Sequence, residues 1–172
     1  MPRVATCCLV LSLALLGGGT EAQEPTAETV ITGDAVVENA DILRIGETRI
    51  ILWGIDAPEP RQTCPTSGRD WGCYEAARRT LAMMVDLHEV SCIIEEGPDR
   101  FGNIYGTCHS GDIELNAELV RTGMALAYVD QSDRYLPAQE EAKSAKVGLW
   151  QDGVEFREPW IWRSAMRPGG YR

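Results

Sequence analysis

Between Val30 and Ile55 the stretch "VITGDAVVENADILRIGETRIILWGI" alternates or clusters β-branched residues, broken by turn signals at Gly33-Asp34 and Gly46-Glu47. This pattern predicts two or three strands, the last pair a tight hairpin. The following "PRQTCPTSGRDWGC" is rich in Pro, Gly, Ser and Thr and is expected to be a loop. From Tyr74 to His88, Ala77, Leu81, Met84 and Val85 recur at helical spacing, with His88 next on the same face. "VSCIIE" and "NIYGTCH" then predict two strands around the turn-rich "EGPDRFG". "IELNAELVRTG" predicts a short helix stopped by Gly123, and "MALAYV" a strand. "YLPAQEEAKSAKVGLW" predicts a helix with Pro137 in its first turn and Gly148 at its end. The tail "QDGVEFREPWIWRSAMRPGGYR" has aromatics but no periodicity, so no element is predicted there. The first strands lie too close for βαβ crossovers, and a short antiparallel barrel decorated by helices accounts for the order better.

The length of 172 residues fits one domain with trimmings. Residues 1–22 carry an early Arg3, the short apolar run "ATCCLVLSLALLGGG" and the small-residue site Thr20-Glu21-Ala22, the features of a secretory signal peptide. The remainder divides into a domain over 23–152 and a tail over 153–172, with no further long apolar run to cross a membrane. Export changes the meaning of the cysteines. Cys7 and Cys8 leave with the signal, and Cys64, Cys73, Cys92 and Cys108 are expected to form two disulfides. A hairpin centred near Arg100 sets Cys92 opposite Cys108, which leaves Cys64 with Cys73. A four-thiolate zinc site is the rival, but the short CxxC spacings are missing. The net charge of −10, from 26 acidic and 16 basic residues, repels a polyanion over the whole surface and disfavours tight, non-specific nucleic-acid binding. A monomer is expected, with no membrane contact by the mature chain.

The candidate chemistry lies in carboxylates. Asp41 starts the hairpin and Asp56 ends it, which brings both to one end of a sheet. Glu59 follows on a loop stiffened by Pro58 and Pro60. Three hard oxygen donors suit Ca²⁺ or Mg²⁺, or two hold the metal while the third takes a proton from water. Solvated acids capping a turn are the plainer alternative. His88 and His109 form no metal or nucleophile constellation. Trp150, Trp160 and Trp162 are expected to pin the C-terminus rather than stack bases.

"GIDAPE", preceded by "NADILRIGETRIIL" and followed by "DRFGN", "LNAELVRTGMALAY" and "AKVGLW", resembles the staphylococcal-nuclease-like, or thermonuclease, family. The resemblance runs from about Val30 to Trp150. It implies an OB-fold β-barrel of five strands with three helices and a Ca²⁺-dependent phosphodiesterase acting on DNA and RNA. It also implies Asp41, Asp56 and the Ala57 carbonyl as calcium ligands, Glu59 as the water-activating base, and Tyr128 near a bound nucleotide. Arg100, in the hairpin turn, is a further substrate-binding candidate.

Two departures bear on activity. The family's catalytic arginines fall on Ile51 and Asn103, so both guanidiniums are missing. A guanidinium meets the charge of a phosphoryl transition state with bidentate hydrogen bonds, and comparable arginines elsewhere contribute ~10³–10⁵ in rate. Isoleucine supplies no donor, and asparagine only a neutral one. Arg49 lies two residues from Ile51 on the same strand face, ~6.6 Å away, within reach of the site. Arg44 and Arg61 are other nearby cations. The hairpin register has two forms. A two-residue turn pairs Ile42 with Ile51, and a three-residue turn puts Asp41 on the face of Ile51. The expectation from sequence is a degenerate nuclease with weak or lost phosphodiesterase activity and a retained acidic metal corner. The alternatives are an active Ca²⁺-dependent nuclease using Arg49, and a non-catalytic periplasmic structural or binding module.

Overall fold

The computed structural model describes residues 28–166, so the segment 1–22 expected to be a signal and the last six residues lie outside the described residues. The first run of alternating residues forms β1 (Val30–Gly33), β2 (Ala35–Asn39), β3 (Ile42–Ile45), β4 (Thr48–Leu52) and the short β5 (Ile55–Asp56). Then come β6 (Cys64–Thr66), β7 (Arg69–Trp71), α1 (Cys73–Val85), β8 (Val90–Glu96) and β9 (Ile104–Ser110). The chain continues through β10 (Ile113–Glu114), α2 (Leu115–Arg121), β11 (Leu126–Ala127), α3 (Leu136–Ala145) and α4 (Pro159–Met166).

The main sheet runs β1-β8-β9-β4-β3-β2, with β10 added to β9. Neighbours are antiparallel except β4 and β9, which pair in parallel because the chain makes a long excursion through α1 and β8 between them. The result is a barrel-like mixed sheet with helices, of the OB type, although no ladder closes it among the described residues. Its interior is packed by Leu43, Ile50 and Leu52 from the β3–β4 hairpin against Leu81 of α1 and Leu115 and Leu119 of α2, all fully buried. Each such side chain contributes roughly 1.5–3 kcal/mol by leaving water. Asn116 is the polar key of this core. Its Oδ1 accepts from Cys108 N, and its Nδ2 donates to the carbonyls of Trp53 and Gly106. One buried amide thus ties α2 to β9 and to the β4–β5 turn.

Both disulfides form as the spacing indicates. Cys92 stands directly opposite Cys108 and is bonded to it, and Cys64 is bonded to Cys73. The hairpin register is the two-residue form: Ile45 faces Thr48 and Ile42 faces Ile51, with Gly46 at φ 57° making the turn. Asp41 therefore stands just outside the ladder, where its carbonyl accepts from Leu52 N at 2.9 Å.

Four local expectations are corrected. The segment expected to be a loop contains the β6–β7 hairpin, closed at its base by the Cys64–Cys73 bond. The first helix stops at Val85, which leaves His88 beyond it. The third helix ends on Lys146 in the left-handed region, not on Gly148. Gly148 is required for a different reason: a Cβ there would stand 2.3 Å from Gly123 O. Finally, the tail holds a fourth helix, α4, where a family-like domain was expected to have three. Two turns are too short for periodicity to register, and tertiary contacts hold the segment instead. Val154 bridges to Thr66, Glu155 N donates to Pro65 O, and Trp150 packs edge-on against Phe156. Trp150, Val154, Phe156 and Trp160 pack with the disulfide Cys64–Cys73 in a second, smaller core.

Candidate functional site

The hairpin end, β5 and the loop after it bring Asp41, Asp56 and Glu59 to the wall of one cleft of about 570 Å³. Gly54 shapes the approach. Its φ of 73° and a would-be Cβ 2.8 Å from Tyr135 leave room for no side chain. Its carbonyl accepts from Tyr128 N, and its N–H donates to Gln131. Tyr128 is thereby fixed on the wall of the cleft that Asp56 also lines.

Asp41 is held in an unusual state. Its carboxylate's only hydrogen bond among the described residues is a long one, 3.5 Å, from Ala57 N. Burial first, then the charges of Asp56 and Glu59, push its pKa up from 3.8 to about 7. Asn39 Oδ1, on the same wall, is buried and has no partner. Two hard oxygens short of a donor, beside a second aspartate, are the chemistry of a Ca²⁺- or Mg²⁺-type site, so the residues present fit such an ion.

The other two carboxylates are already partnered, by a residue the sequence did not single out. Arg163 of α4 lays its guanidinium across Asp56, Nη1 donating to Oδ1 at 2.7 Å and Nη2 to Oδ2 at 2.6 Å. The same Nη1 also donates to Glu59 Oε1. The Asp56 pKa stays above its ordinary value, because burial raises it by more than the Arg163 hydrogen bonds lower it. The sequence offered Arg49, Arg44, Arg61 and Arg100 as nearby cations, whereas the one bonded to these two carboxylates is Arg163. Arg163 lies 107 residues from Asp56 in a tail without periodicity, so no sequence signal pointed to it.

Arg49 lines the same cleft, with its Nε paired to Glu38 at 3.1 Å. Its Nη1 donates to Asn103 Oδ1 at 2.5 Å, which places its guanidinium against a residue that replaces a family arginine. Asn103 is itself oriented by Asp99, which accepts from its Nδ2 at 2.9 Å and from its N–H at 2.9 Å. Those bonds, the one from the asparagine side chain first, hold the Asp99 pKa down to about 2. Ile51 lines the cleft as a bare hydrocarbon face. The remaining candidates are not brought in. Arg100 covers the ring of Phe101 and does not line the cleft, and Arg44 pairs with Glu38 at 2.6 Å. A larger groove of about 800 Å³, between α1 and α2, carries none of the three carboxylates.

Residues 49–152 match the family described as staphylococcal nuclease homologue. The chain is 31% identical to a succinoglycan biosynthesis protein, ExoI, of Rhizobium meliloti, an alignment that covers 83% of this chain and 73% of the relative. It is 34% identical to the protein ParB of Escherichia coli, over 78% of this chain and 75% of the relative. It is 32% identical to an uncharacterized endonuclease of Haemophilus influenzae, over 67% and 60%. Ordered motifs, OB-type sheet and acidic cleft agree with this match, and the chain belongs to the staphylococcal nuclease homologue family.

Proposed function

We propose that the protein is a metal-dependent phosphodiesterase of the nuclease type, in which guanidiniums from new positions serve the phosphate. One observation carries this reading: Arg49 lies in the acidic cleft, bonded to Asn103, so a cation stands beside a position from which the family arginine is missing. Asp41 and Asp56, with Asn39 Oδ1 on the same wall and the Ala57 carbonyl as the further ligand the family resemblance implies, are the residues that would hold the Ca²⁺ on which the family generally depends. When bound, such an ion supplies Lewis-acid polarisation of a phosphoryl oxygen. Glu59 takes the proton of a water that adds to phosphorus as the P–O ester bond breaks, and the departing alkoxide is protonated by solvent. Arg49 donates to a non-bridging oxygen, with Asn103 as the pivot that aims it. Tyr128 offers its ring to the nucleotide beside the scissile bond.

The substrate is DNA or RNA, and the net charge of −10 favours short or single-stranded stretches held at this cleft over broad binding along a duplex. We further propose an exported, monomeric protein: residues 1–22 read as a signal, 23–152 as the catalytic domain, and the two disulfides suit an oxidising compartment. The test is cleavage of a single-stranded DNA oligonucleotide by the oxidised protein in millimolar Ca²⁺ and in chelator. Chelator-sensitive cleavage that falls ~10²-fold or more in Arg49→Ala supports the reading, and inactivity of the wild type in Ca²⁺ overturns it.

A second reading, weak or lost activity on a retained fold, draws on the hydrocarbon at Ile51 and on Asp56 having both oxygens taken by Arg163.

A further inference from the structure

Arg163 stands outside the part of the chain that matches the family, yet it is built into the cleft. Its helix is anchored independently of the salt bridge. Pro159 is buried, Trp160 packs on Tyr128 with ring centroids 5.5 Å apart, and Arg157 O accepts from the buried Gln62 at 2.6 Å. The Arg163 side chain itself is 36% exposed, so it can turn within the cleft while α4 stays docked. It is a jointed cation on a fixed post.

Its present seat conflicts with metal binding. The fork occupies both oxygens of Asp56 and one of Glu59, while Asp41 receives no side-chain donor among the described residues. A divalent cation on Asp41 and Asp56 and this guanidinium on Asp56 therefore compete, and linkage requires each to weaken the other by the same factor. Once released, the guanidinium is an uncommitted two-pronged donor at the rim of a cleft that lacks both family arginines. A phosphodiester anion is the partner for which that fork is shaped.

We propose that Arg163 is a dual-state residue of this site: in the metal-free protein it sits on Asp56 and Glu59 in the manner of an internal counter-ion, and with metal bound it turns to the phosphate. The phosphate half rests on the phosphodiesterase reading, and the metal half does not.

The test uses the oxidised full-length mature protein and two binding measurements by calorimetry. The first is Ca²⁺ affinity. The second, in saturating Ca²⁺, is affinity for a phosphorothioate dinucleotide that resists hydrolysis. Arg163→Ala is expected to bind Ca²⁺ ~10-fold more tightly and the dinucleotide ~10-fold or more weakly. Arg163→Gln, which fills the same space without the charge, should move both in the same directions. A purely structural role for Arg163 would loosen the cleft and weaken both affinities together, and that result overturns the proposal. Unchanged Ca²⁺ affinity in both variants overturns the competition. Tighter Ca²⁺ with unchanged or tighter dinucleotide binding makes Arg163 a plug alone and overturns its phosphate role. Turnover on DNA is measured separately: a wild type that binds as expected but cleaves nothing refutes the phosphodiesterase reading and leaves the two-state behaviour standing.

Discussion

In chelator at pH 8, Asp41→Asn is expected to make the protein more stable, the reverse of the usual cost of changing a half-buried polar residue. Asp41 titrates near 3.8 when unfolded, whereas burial and the neighbouring acids raise it to about 7 in the folded state. A raised folded pKa means the stabilised form is the protonated one. Its benefit is complete below about pH 3.8 and is lost as pH rises through about 7. At about 1.4 kcal/mol per pK unit, the ionised carboxylate costs up to about 4 kcal/mol at pH 8 and about 2 kcal/mol at pH 5. Asparagine removes that cost at the same size and brings an NH₂ that can donate toward Asp56. Structural relaxation absorbs part of the difference, so a gain of about 2–4 kcal/mol is expected at pH 8, and a smaller one at pH 5. Urea denaturation in chelator at both pH values, followed by far-ultraviolet circular dichroism, gives the two numbers. A loss of stability at pH 8, or an equal effect at both pH values, would refute the electrostatic account of Asp41. Millimolar Ca²⁺ should reverse the order, stabilising the wild type and not the variant.

Asn116→Ala strands the Cys108 N–H and the Trp53 and Gly106 carbonyls inside the core, and is expected to cost about 3 kcal/mol in urea denaturation at any pH from 5 to 8. Gly148→Ala forces a Cβ against Gly123 O at a left-handed φ, and should lower the thermal midpoint through a loss of at least about 2 kcal/mol. Ile51→Arg/Asn103→Arg tells apart the two readings of activity: a gain under ~10-fold in DNA cleavage fits a cleft already served by relocated guanidiniums, whereas a gain of ~10³-fold fits a site that had lost them.

The family resemblance, the acidic trio and the disulfides were all legible because they depend on short-range order in the chain. Gly-Glu between β-branched runs makes a hairpin, and Asp41 and Asp56 at its two ends must meet. Cys92 and Cys108 flank a turn at equal distance, so their pairing follows from the pleat. The family resemblance marked Ile51 and Asn103 as positions without a guanidinium, and strand spacing gave Arg49 as one cation within reach.

Other features lay beyond it. The register of the hairpin was undetermined because both turn lengths satisfy the alternation, and packing of Ile50 and Leu52 in the core selects one. The α4 helix carries no usable period over its eight residues, and it is held by the β6–β7 hairpin, Tyr128 and Gln62, all distant in sequence. Arg163 reaches Asp56 only because that tail docks where it does. Local pattern therefore determined which anions gather at the cleft, since neighbours on one hairpin are bound to converge. Which cation answers them was decided by the tertiary structure, because a contact between distant segments depends on how separate surfaces pack and leaves no periodic mark in the chain.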